Sequence, residues 1–223
     1  MMTHQTLTAA DGFKLGAYVA LPQCAPRGSV IVLQEIFGVN RHIRSICDRL
    51  AQVGYQAIAP SIFDRMIVNF EVGYTPQEVA QAKSYMSEFD IDASLLDLEA
   101  ARAHVAPAGR VGVIGFCLGG SLAWLAATRI EGLCAASSFY GGMVNKFASE
   151  TPQCPTQLHY GGKDELIPPE NYLAVREMRP EVDFFLYETA GHGFNCDQRS
   201  SYAPEAAALA WRRSMELFHS EVG

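Results

Sequence analysis

The sequence predicts an α/β protein with a doubly wound, mostly parallel sheet in a single domain over residues 1–223. Two observations support this prediction. Short β-branched apolar runs alternate along the chain with longer amphipathic stretches, and strands that alternate with helices form parallel sheets with right-handed crossovers. No repeat, low-complexity tract or linker interrupts that alternation, and 223 residues are an ordinary length for one such domain.

The first elements are read from turn signals and apolar periodicity. Residues 3–7 and 13–21 flank the turn pair Asp11-Gly12 and predict a β-hairpin, which adds antiparallel strands at one edge. Residues 29–34 are short and β-branched, as is typical of a strand buried on both faces. Asn40 is the predicted N-cap of a helix that ends near residue 53, because apolar side chains recur there on one stripe.

The later elements follow the same alternation. Further strands are predicted at residues 55–59, 110–115, 133–139, 157–160 and 183–187, and helices at about 76–89, 92–105, 118–128, 169–178 and 204–219. Residues 61–74 lack a regular pattern and follow a strand, which predicts a binding loop. The segment between the strands at 133–139 and 157–160 is too short for a lid domain, so loops are expected to wall the pocket.

Composition excludes several function classes. A net charge of −7 argues against a nucleic-acid partner, since phosphate binding needs clustered Lys and Arg. No secretory signal and no apolar run of membrane-spanning length is present, which predicts a cytoplasmic protein. Six cysteines are scattered without a C-x-x-C pair, and no Cys/His group has zinc spacing. No metal and no organic cofactor are therefore expected.

The densest motif lies at residues 111–120, where an apolar strand runs into G-x-C-x-G and a helix begins at once. This is the nucleophile-elbow pattern of α/β-hydrolases, with Cys117 in place of the usual serine. Glycines suit such a turn because it strains the nucleophile's backbone and brings strand and helix close together. The alternative is a glycine-rich turn around an inert buried cysteine. A phosphate-binding loop is excluded because the G-x-x-x-x-G-K-[ST] pattern is absent.

An elbow nucleophile needs a carboxylate and then a histidine, each after a later strand. Asp164 follows the strand at residues 157–160, and His192 stands between glycines before the last helix. Cys117, Asp164 and His192 therefore predict a nucleophile, acid and base in an α/β-hydrolase fold without a lid domain. Glu165 is the second choice for the acid, because its side chain is longer.

Four segments connect these residues to a known family. The chain has Q-E-I-F-G at residues 34–38, G-F-C-L-G-G at 115–120, G-G-K-D at 161–164 and A-G-H-G-F at 190–194. With the chain length and element order, they closely resemble the dienelactone hydrolase family (carboxymethylenebutenolidase-like proteins) over essentially the whole chain. The resemblance implies a Cys–His–Asp triad that hydrolyses small lactones or carboxylic esters through a thioester acyl-enzyme.

The resemblance also implies roles that spacing alone does not indicate. The backbone N–H groups of Ile36 and Leu118 would form the oxyanion hole. Glu35 would lie beside the resting thiol of Cys117 until substrate displaces it, which helps to generate the thiolate. The alternative for Glu35 is a loop carboxylate paired with an arginine.

One departure from the family concerns the substrate. Family members that act on dienelactone hold its carboxylate with two arginines, and Arg65 matches the first. The second should stand four residues after His192, where this chain has Cys196. Arg199, three residues further on, is the candidate substitute. We therefore expect a physiological substrate other than dienelactone itself.

Two other readings are open at this point. A thioesterase, amide hydrolase or acyltransferase would use the same triad, because all pass through an acyl-enzyme. A non-catalytic binding or redox-sensing protein would use Cys117 as a sensor thiol. The expected partner is a small-molecule ester or lactone, with no nucleic acid and no membrane, and the protein is expected to be a monomer.

Overall fold

The computed structural model describes residues 2–223, which contain eight strands and six α-helices. The strands are β1 (Met2–Thr8), β2 (Lys14–Ala20), β3 (Ser29–Leu33), β4 (Gln56–Pro60), β5 (Val111–Phe116), β6 (Leu133–Phe139), β7 (Thr156–Gly161) and β8 (Asp183–Tyr187). The helices are α1 (Arg41–Gln52), α2 (Pro76–Ser84), α3 (Ile91–Val105), α4 (Leu118–Arg129), α5 (Pro169–Met178) and α6 (Pro204–Glu221).

All eight strands join one sheet in the order β1-β2-β4-β3-β5-β6-β7-β8. β1 pairs with β2 and β2 with β4 in antiparallel fashion, whereas every pair from β4 to β8 is parallel. This confirms the predicted α/β fold with an antiparallel hairpin at one edge. Because β3 to β8 run parallel, their carboxyl ends meet at one edge of the sheet, where ligands bind in such folds.

Helix boundaries agree with the cap signals except in one place. Asn40 caps α1 as predicted, its side chain accepting from the Ile43 N–H at 3.3 Å. The helix predicted to reach residue 89 instead ends at Ser84 and continues as a 3-10 turn, Tyr85–Ser87. The hydroxyl of Ser84 donates to the backbone three residues earlier, and such bonds compete with α-helical pairing.

The central helix α4 is buried almost throughout. Ten consecutive residues, from Leu118 to Ala127, are buried, so its surface is apolar on all sides. It packs against β5 and β6, and Trp124 anchors it by donating from Nε1 to the carbonyl of Phe147 at 3.1 Å. The turn between β5 and α4 is therefore mounted on two rigid elements.

The connection between β6 and β7 is short, and the helices of the structure can be checked against the length that a bilayer requires. Residues 140–155, between β6 and β7, hold one 3-10 turn, Val144–Phe147, and no inserted domain. None of the helices in residues 2–223 combines the length and the apolar character needed to cross a bilayer.

Candidate active site

Cys117 occupies the turn between β5 and α4 in a strained backbone conformation. Its φ is 56° and its ψ is −111°, a positive φ that non-glycine residues rarely adopt. The Cys117 N–H donates to the carbonyl of Phe139 at 3.0 Å, and its own carbonyl accepts from the Ser121 N–H at 3.1 Å. Bonds on both sides hold the residue in place, as strained functional positions require.

The glycines of the turn have the predicted steric role. A Cβ on Gly115 would lie 1.9 Å from the carbonyl oxygen of Gly119. A Cβ on Gly119 would lie 2.3 Å from the carbonyl oxygen of Leu33, at the end of β3. The Gly119 N–H also donates to the carbonyl of Gln34 at 3.0 Å. The start of α4 therefore lies directly against the chain that leaves β3, with no room for a side chain.

His192 and Asp164 form a buried pair across the loops that follow β8 and β7. Nδ1 of His192 lies 2.8 Å from Oδ2 of Asp164. The other carboxylate oxygen of Asp164 accepts from the Leu166 N–H at 2.9 Å, so both oxygens are held. The bond to Nδ1 orients the imidazole and leaves Nε2 as the atom free for proton transfer.

The environment of His192 favours its charged form. Burial alone would lower the pKa of His192, but its interactions with Cys117 and Asp164 outweigh burial and raise the pKa to about 10. Nε2 is buried and makes no hydrogen bond of normal geometry to residues 2–223, although Cys117 is near enough to shift the pKa. The ring of Tyr140 packs on the imidazole, with 5.1 Å between ring centroids. The site therefore holds an imidazolium beside the sulfur at neutral pH.

Two backbone amides beside the turn are available as donors. Neither the Ile36 N–H nor the Leu118 N–H donates a hydrogen bond within the part of the chain that the structure describes. The bond from Gly119 to Gln34 brings their two segments together. Leu118 is the first residue of α4, where the helix dipole favours negative charge. The oxyanion-hole role that the resemblance implies for both amides stays a prediction.

Glu35 is buried, with 1% of its surface exposed, and its carboxylate is held by two partners. Nη1 of Arg199 donates to Oε1 at 3.1 Å, and the hydroxyl of Tyr74 donates to Oε2 at 3.3 Å. No hydrogen bond joins Glu35 to Cys117 among the described residues, because Arg199 and Tyr74 hold the two carboxylate oxygens. The pair with Arg199 is the alternative stated above for Glu35, and its place beside the resting thiol stays a prediction.

Arg199 lies at the site, as the candidate substitute for the missing family arginine. Its guanidinium carbon lies 5.7 Å from the ring centroid of Phe37 and 5.4 Å from that of Tyr74. Burial acts to lower the pKa of Arg199, but neighbouring charges, Glu35 first and Cys117 among them, raise it overall. Arg199 therefore supplies a fixed positive charge next to Glu35.

Arg65, for which substrate binding is predicted, makes two ion pairs within the protein. Nε and Nη2 of Arg65 donate to the two carboxylate oxygens of Asp97 at 2.8 Å, and Nη1 donates to Asp11 at 2.8 Å. The side chain of Asp97 is fully buried and needs this partner. The guanidinium thus ties the β1–β2 turn to α3, and its substrate-binding role stays a prediction.

Three further side chains adjoin the site without having been assigned a role from the sequence: Tyr74, His42 and Cys196. The sulfur of Cys196 donates to the hydroxyl of Tyr74 at 3.2 Å, and burial raises the pKa of this thiol to about 11. Burial lowers the pKa of His42, so its imidazole is neutral. Potential metal-ligand atoms of Glu35, His42 and Cys196 all lie within 4.8 Å of one another. Their sequence spacing carries no ligand signal, because each comes from a different loop or helix.

The chain also matches known proteins over nearly its whole length. Residues 15–222 match the family model described as the dienelactone hydrolase family. The chain is 36% identical to the "Putative carboxymethylenebutenolidase" of Synechocystis over 95% of this chain and 94% of that protein. It is 33% identical to the carboxymethylenebutenolidase of Pseudomonas putida, again over 95% and 94% of the two chains.

A solved structure extends the similarity to three dimensions. The crystal structure titled "Putative Dienelactone Hydrolase", from Klebsiella pneumoniae, superposes with a TM-score of 0.86 at 32% identity, covering 98% of this chain and 99% of that one. The α/β-hydrolase architecture and the match along nearly the whole sequence lead to one assignment. The chain belongs to the dienelactone hydrolase family.

Proposed function

We propose that the protein hydrolyses small lactones or carboxylic esters, with Cys117 as nucleophile, His192 as acid and base, and Asp164 as the orienting carboxylate. The observation that carries the proposal is the buried His192–Asp164 pair beside the Cys117 turn, with the pKa of His192 raised to about 10. The carboxymethylenebutenolidase name of the Pseudomonas putida relative supports the substrate class.

Acylation begins with attack of the Cys117 sulfur, as thiolate, on the carbonyl carbon of the ester. The carbonyl oxygen becomes an oxyanion that receives the N–H groups of Ile36 and Leu118, each such donor contributing about 2.7–4 kcal/mol to transition-state stabilisation. The imidazolium of His192 then donates its Nε2 proton to the leaving oxygen, and the C–O bond breaks. The products are the free alcohol and a thioester on Cys117.

Deacylation uses the same residues, but His192 now acts first as the base. Neutral His192 takes a proton from water, and the resulting hydroxide attacks the thioester carbon. Collapse of the second oxyanion breaks the C–S bond and releases the acid and the Cys117 thiolate. The imidazolium is then again in place beside the sulfur, with Asp164 bound to Nδ1. The cycle consumes one water and leaves the protein unchanged.

Glu35 and Arg199 are proposed to respond to the substrate's charge. Arg199 holds Glu35 by a 3.1 Å charge-assisted bond. A substrate carboxylate that binds Arg199 would compete with Glu35 for the guanidinium. The displaced carboxylate of Glu35 would then be free to move towards Cys117. Because Arg65 is bound to Asp97 and Asp11, Arg199 is the arginine proposed for this anion contact.

The state of the cysteines supports the proposed compartment. All six cysteines are free thiols, as expected in a reducing environment. We accordingly place this activity in the cytosol, on a small-molecule substrate.

The direct test is hydrolysis of p-nitrophenyl acetate and of a small lactone by wild type, Cys117→Ala and Cys24→Ser. Cys117→Ala should lower kcat/KM by at least about 10³-fold, as removal of a triad nucleophile does. Cys24 is exposed and remote in sequence from the triad, so Cys24→Ser should match wild type. Full activity in Cys117→Ala would refute the mechanism. Turnover of amides or thioesters without turnover of lactones or esters would favour the corresponding alternative.

A further inference from the structure

A second cluster of reactive side chains lies beside the triad, and the proposed mechanism uses only one of its three members, Glu35. Glu35 follows β3, His42 lies in the first turn of α1, and Cys196 lies in the loop after β8. One ligand atom from each residue lies within 4.8 Å of the other two. All three residues are buried, with exposed fractions of 1%, 1% and 0%. A carboxylate, an imidazole and a thiol therefore converge in a site shielded from solvent.

His42 provides an independent sign that this cluster accommodates a ligand. Its Nε2 is buried and has no hydrogen-bond partner in residues 2–223. Buried polar atoms are almost always satisfied, and an orphan costs about 1–3 kcal/mol. The ring is held by an edge contact with Phe116, at 5.7 Å between centroids, so the nitrogen is fixed rather than free to seek water. A bound cation would satisfy this atom.

We propose that Glu35, His42 and Cys196 bind a divalent transition metal ion of the Zn²⁺ class. Thiolate, imidazole and carboxylate are the three ligand types that Zn²⁺ takes in proteins, and Ca²⁺ or Mg²⁺ would instead require oxygen ligands. On binding, Cys196 releases its proton to solvent and coordinates as thiolate. The carboxylate and thiolate together then balance the charge of the ion, so the positive charge of Arg199 does not exclude it.

The distances require a modest contraction of the cluster. A tetrahedral zinc site with bonds of about 2.0–2.3 Å places its ligand atoms roughly 3.5 Å apart. The ligand atoms of the three residues now lie within 4.8 Å of one another, so the longest of these distances has to shorten by about an ångström. Cys196 is free to turn, because its one side-chain bond, to Tyr74, is a weak thiol contact of 3.2 Å. Oε1 of Glu35 keeps its bond to Arg199, while Oε2 exchanges the hydroxyl of Tyr74 for the metal.

His42 also lines a surface cavity. The cavity has a volume of about 340 Å³, and Arg49, Asp197 and Tyr202 line it as well. Asp197 and Tyr202 are exposed, so the cavity opens to solvent, and its lining carries both a guanidinium and a carboxylate. His42 is therefore the member of the cluster that an ion in this cavity can approach.

The test measures metal binding directly and does not depend on hydrolase activity. Reduced, chelator-treated full-length protein is titrated with Zn²⁺ against a chromophoric chelator. We expect one Zn²⁺ per chain, and at least a tenfold loss of affinity in Cys196→Ser and in His42→Phe. His42→Phe keeps a ring against Phe116 and removes only the unpartnered nitrogen, so it should keep the fold. Cys24→Ser and Cys117→Ser serve as matched thiol controls and should bind like wild type.

Co²⁺ identifies the sulfur that coordinates. Wild type and Cys117→Ser should develop a thiolate-to-Co²⁺ charge-transfer band, and Cys196→Ser should lack it. Thermal melting of each variant checks its fold, and Glu35→Gln replaces His42→Phe if the latter does not fold. Absence of stoichiometric Zn²⁺ binding would overturn the proposal. Unchanged affinity in the Cys196 and His42 variants, or a band that depends on Cys117 instead, would also overturn it.

Discussion

The charge state of His192 is the residue-level property on which the proposed chemistry depends. In an unfolded chain, histidine titrates near 6.5. In the folded protein, Cys117 and Asp164 overcome the effect of burial and raise the pKa of His192 to about 10. Because the folded pKa is the higher one, the protonated pair stabilises the fold fully below about pH 6.5. That stabilisation is lost as the pH rises through about 10.

Asp164→Asn tests this residue-level argument. The substitution keeps the shape of the side chain and removes the charge-assisted bond to Nδ1, so unfolding free energy should fall by about 1.5–3 kcal/mol at neutral pH. The difference between the variant and wild type should shrink as the pH approaches and passes 10. Urea denaturation across pH 6 to 10.5 measures it. A difference that grows with pH would show that the sign of the His192 shift is wrong.

At the level of elements, the site depends on how closely α4 approaches β3. The bond from the Gly119 N–H to the Gln34 carbonyl ties the start of α4 to the segment that carries Ile36. No side chain fits between the two segments, because a Cβ on Gly119 would meet backbone at 2.3 Å. The distance between the two proposed oxyanion donors is therefore set by packing of a helix against a strand end.

Gly119→Ala adds only one methyl group, but we expect it to lower catalysis strongly. The added Cβ forces α4 away from β3, which should cost about 1–3 kcal/mol of stability and lower kcat by separating the two amides. Gly142→Ala is the matched control, since its Cβ would meet only Ile167 side-chain atoms at 3.7 Å. Thermal melting and kcat with p-nitrophenyl acetate measure both effects. Wild-type kcat in Gly119→Ala would contradict the proposed oxyanion hole.

Arg65 acts between elements, where it joins the β1–β2 turn to α3. Arg65→Gln leaves the buried carboxylate of Asp97 without its partner and should cost about 3–5 kcal/mol of unfolding free energy. Arg102→Gln, which breaks the part-exposed pair with Glu99, should change stability by less than about 1 kcal/mol. Urea denaturation measures the unfolding free energy of both variants.

A comparison of substrates then distinguishes a structural role of an arginine from a role in binding the substrate. The ratio of kcat/KM for a carboxylate-bearing ester to that for its neutral analogue should be unchanged in Arg65→Gln. The same ratio should fall in Arg199→Met, because Arg199 lies beside Glu35 at the site. A selective loss for anionic esters in Arg65→Gln would restore the role that the family resemblance implied for Arg65.

At the scale of the whole molecule, the sheet edge that holds the triad has no inserted cover domain. Residues 140–155 contribute one short 3-10 turn between β6 and β7. A long acyl chain needs an extended apolar surface to leave water, and each unburied methylene forgoes about 0.8 kcal/mol. Walls made of loops are better suited to a compact substrate.

Chain-length preference tests this whole-molecule argument. Among p-nitrophenyl esters, which share one leaving group, kcat/KM should be highest for acetate or butyrate and lower for long acyl chains. The series is measured below the aggregation concentration of the long esters. Faster turnover of the long-chain esters would show that an apolar channel exists and that the proposed substrate size is wrong.

The sequence by itself determined the α/β order of elements, the strained turn at Cys117 and the succession of Cys117, Asp164 and His192. These are encoded locally: apolar periodicity marks strands and helices, and a tight turn demands glycine wherever backbones touch. Because parallel strands end at one edge of the sheet, chain order alone brings the three residues to one edge. The helix boundary near Ser84 was missed, since competing hydroxyl bonds are not visible in apolar periodicity.

Only the tertiary structure decided which charges pair and which side chains meet. Arg65 and Asp97 are 32 residues apart, and Glu35 and Arg199 are 164 apart, so no local pattern indicates either bond. The match of Arg65 to a family motif predicts that it binds substrate, whereas the structure shows its guanidinium in an ion pair with the fully buried Asp97. The convergence of Glu35, His42 and Cys196 is equally invisible in sequence, because a ligand set drawn from three separate elements has no spacing to recognise.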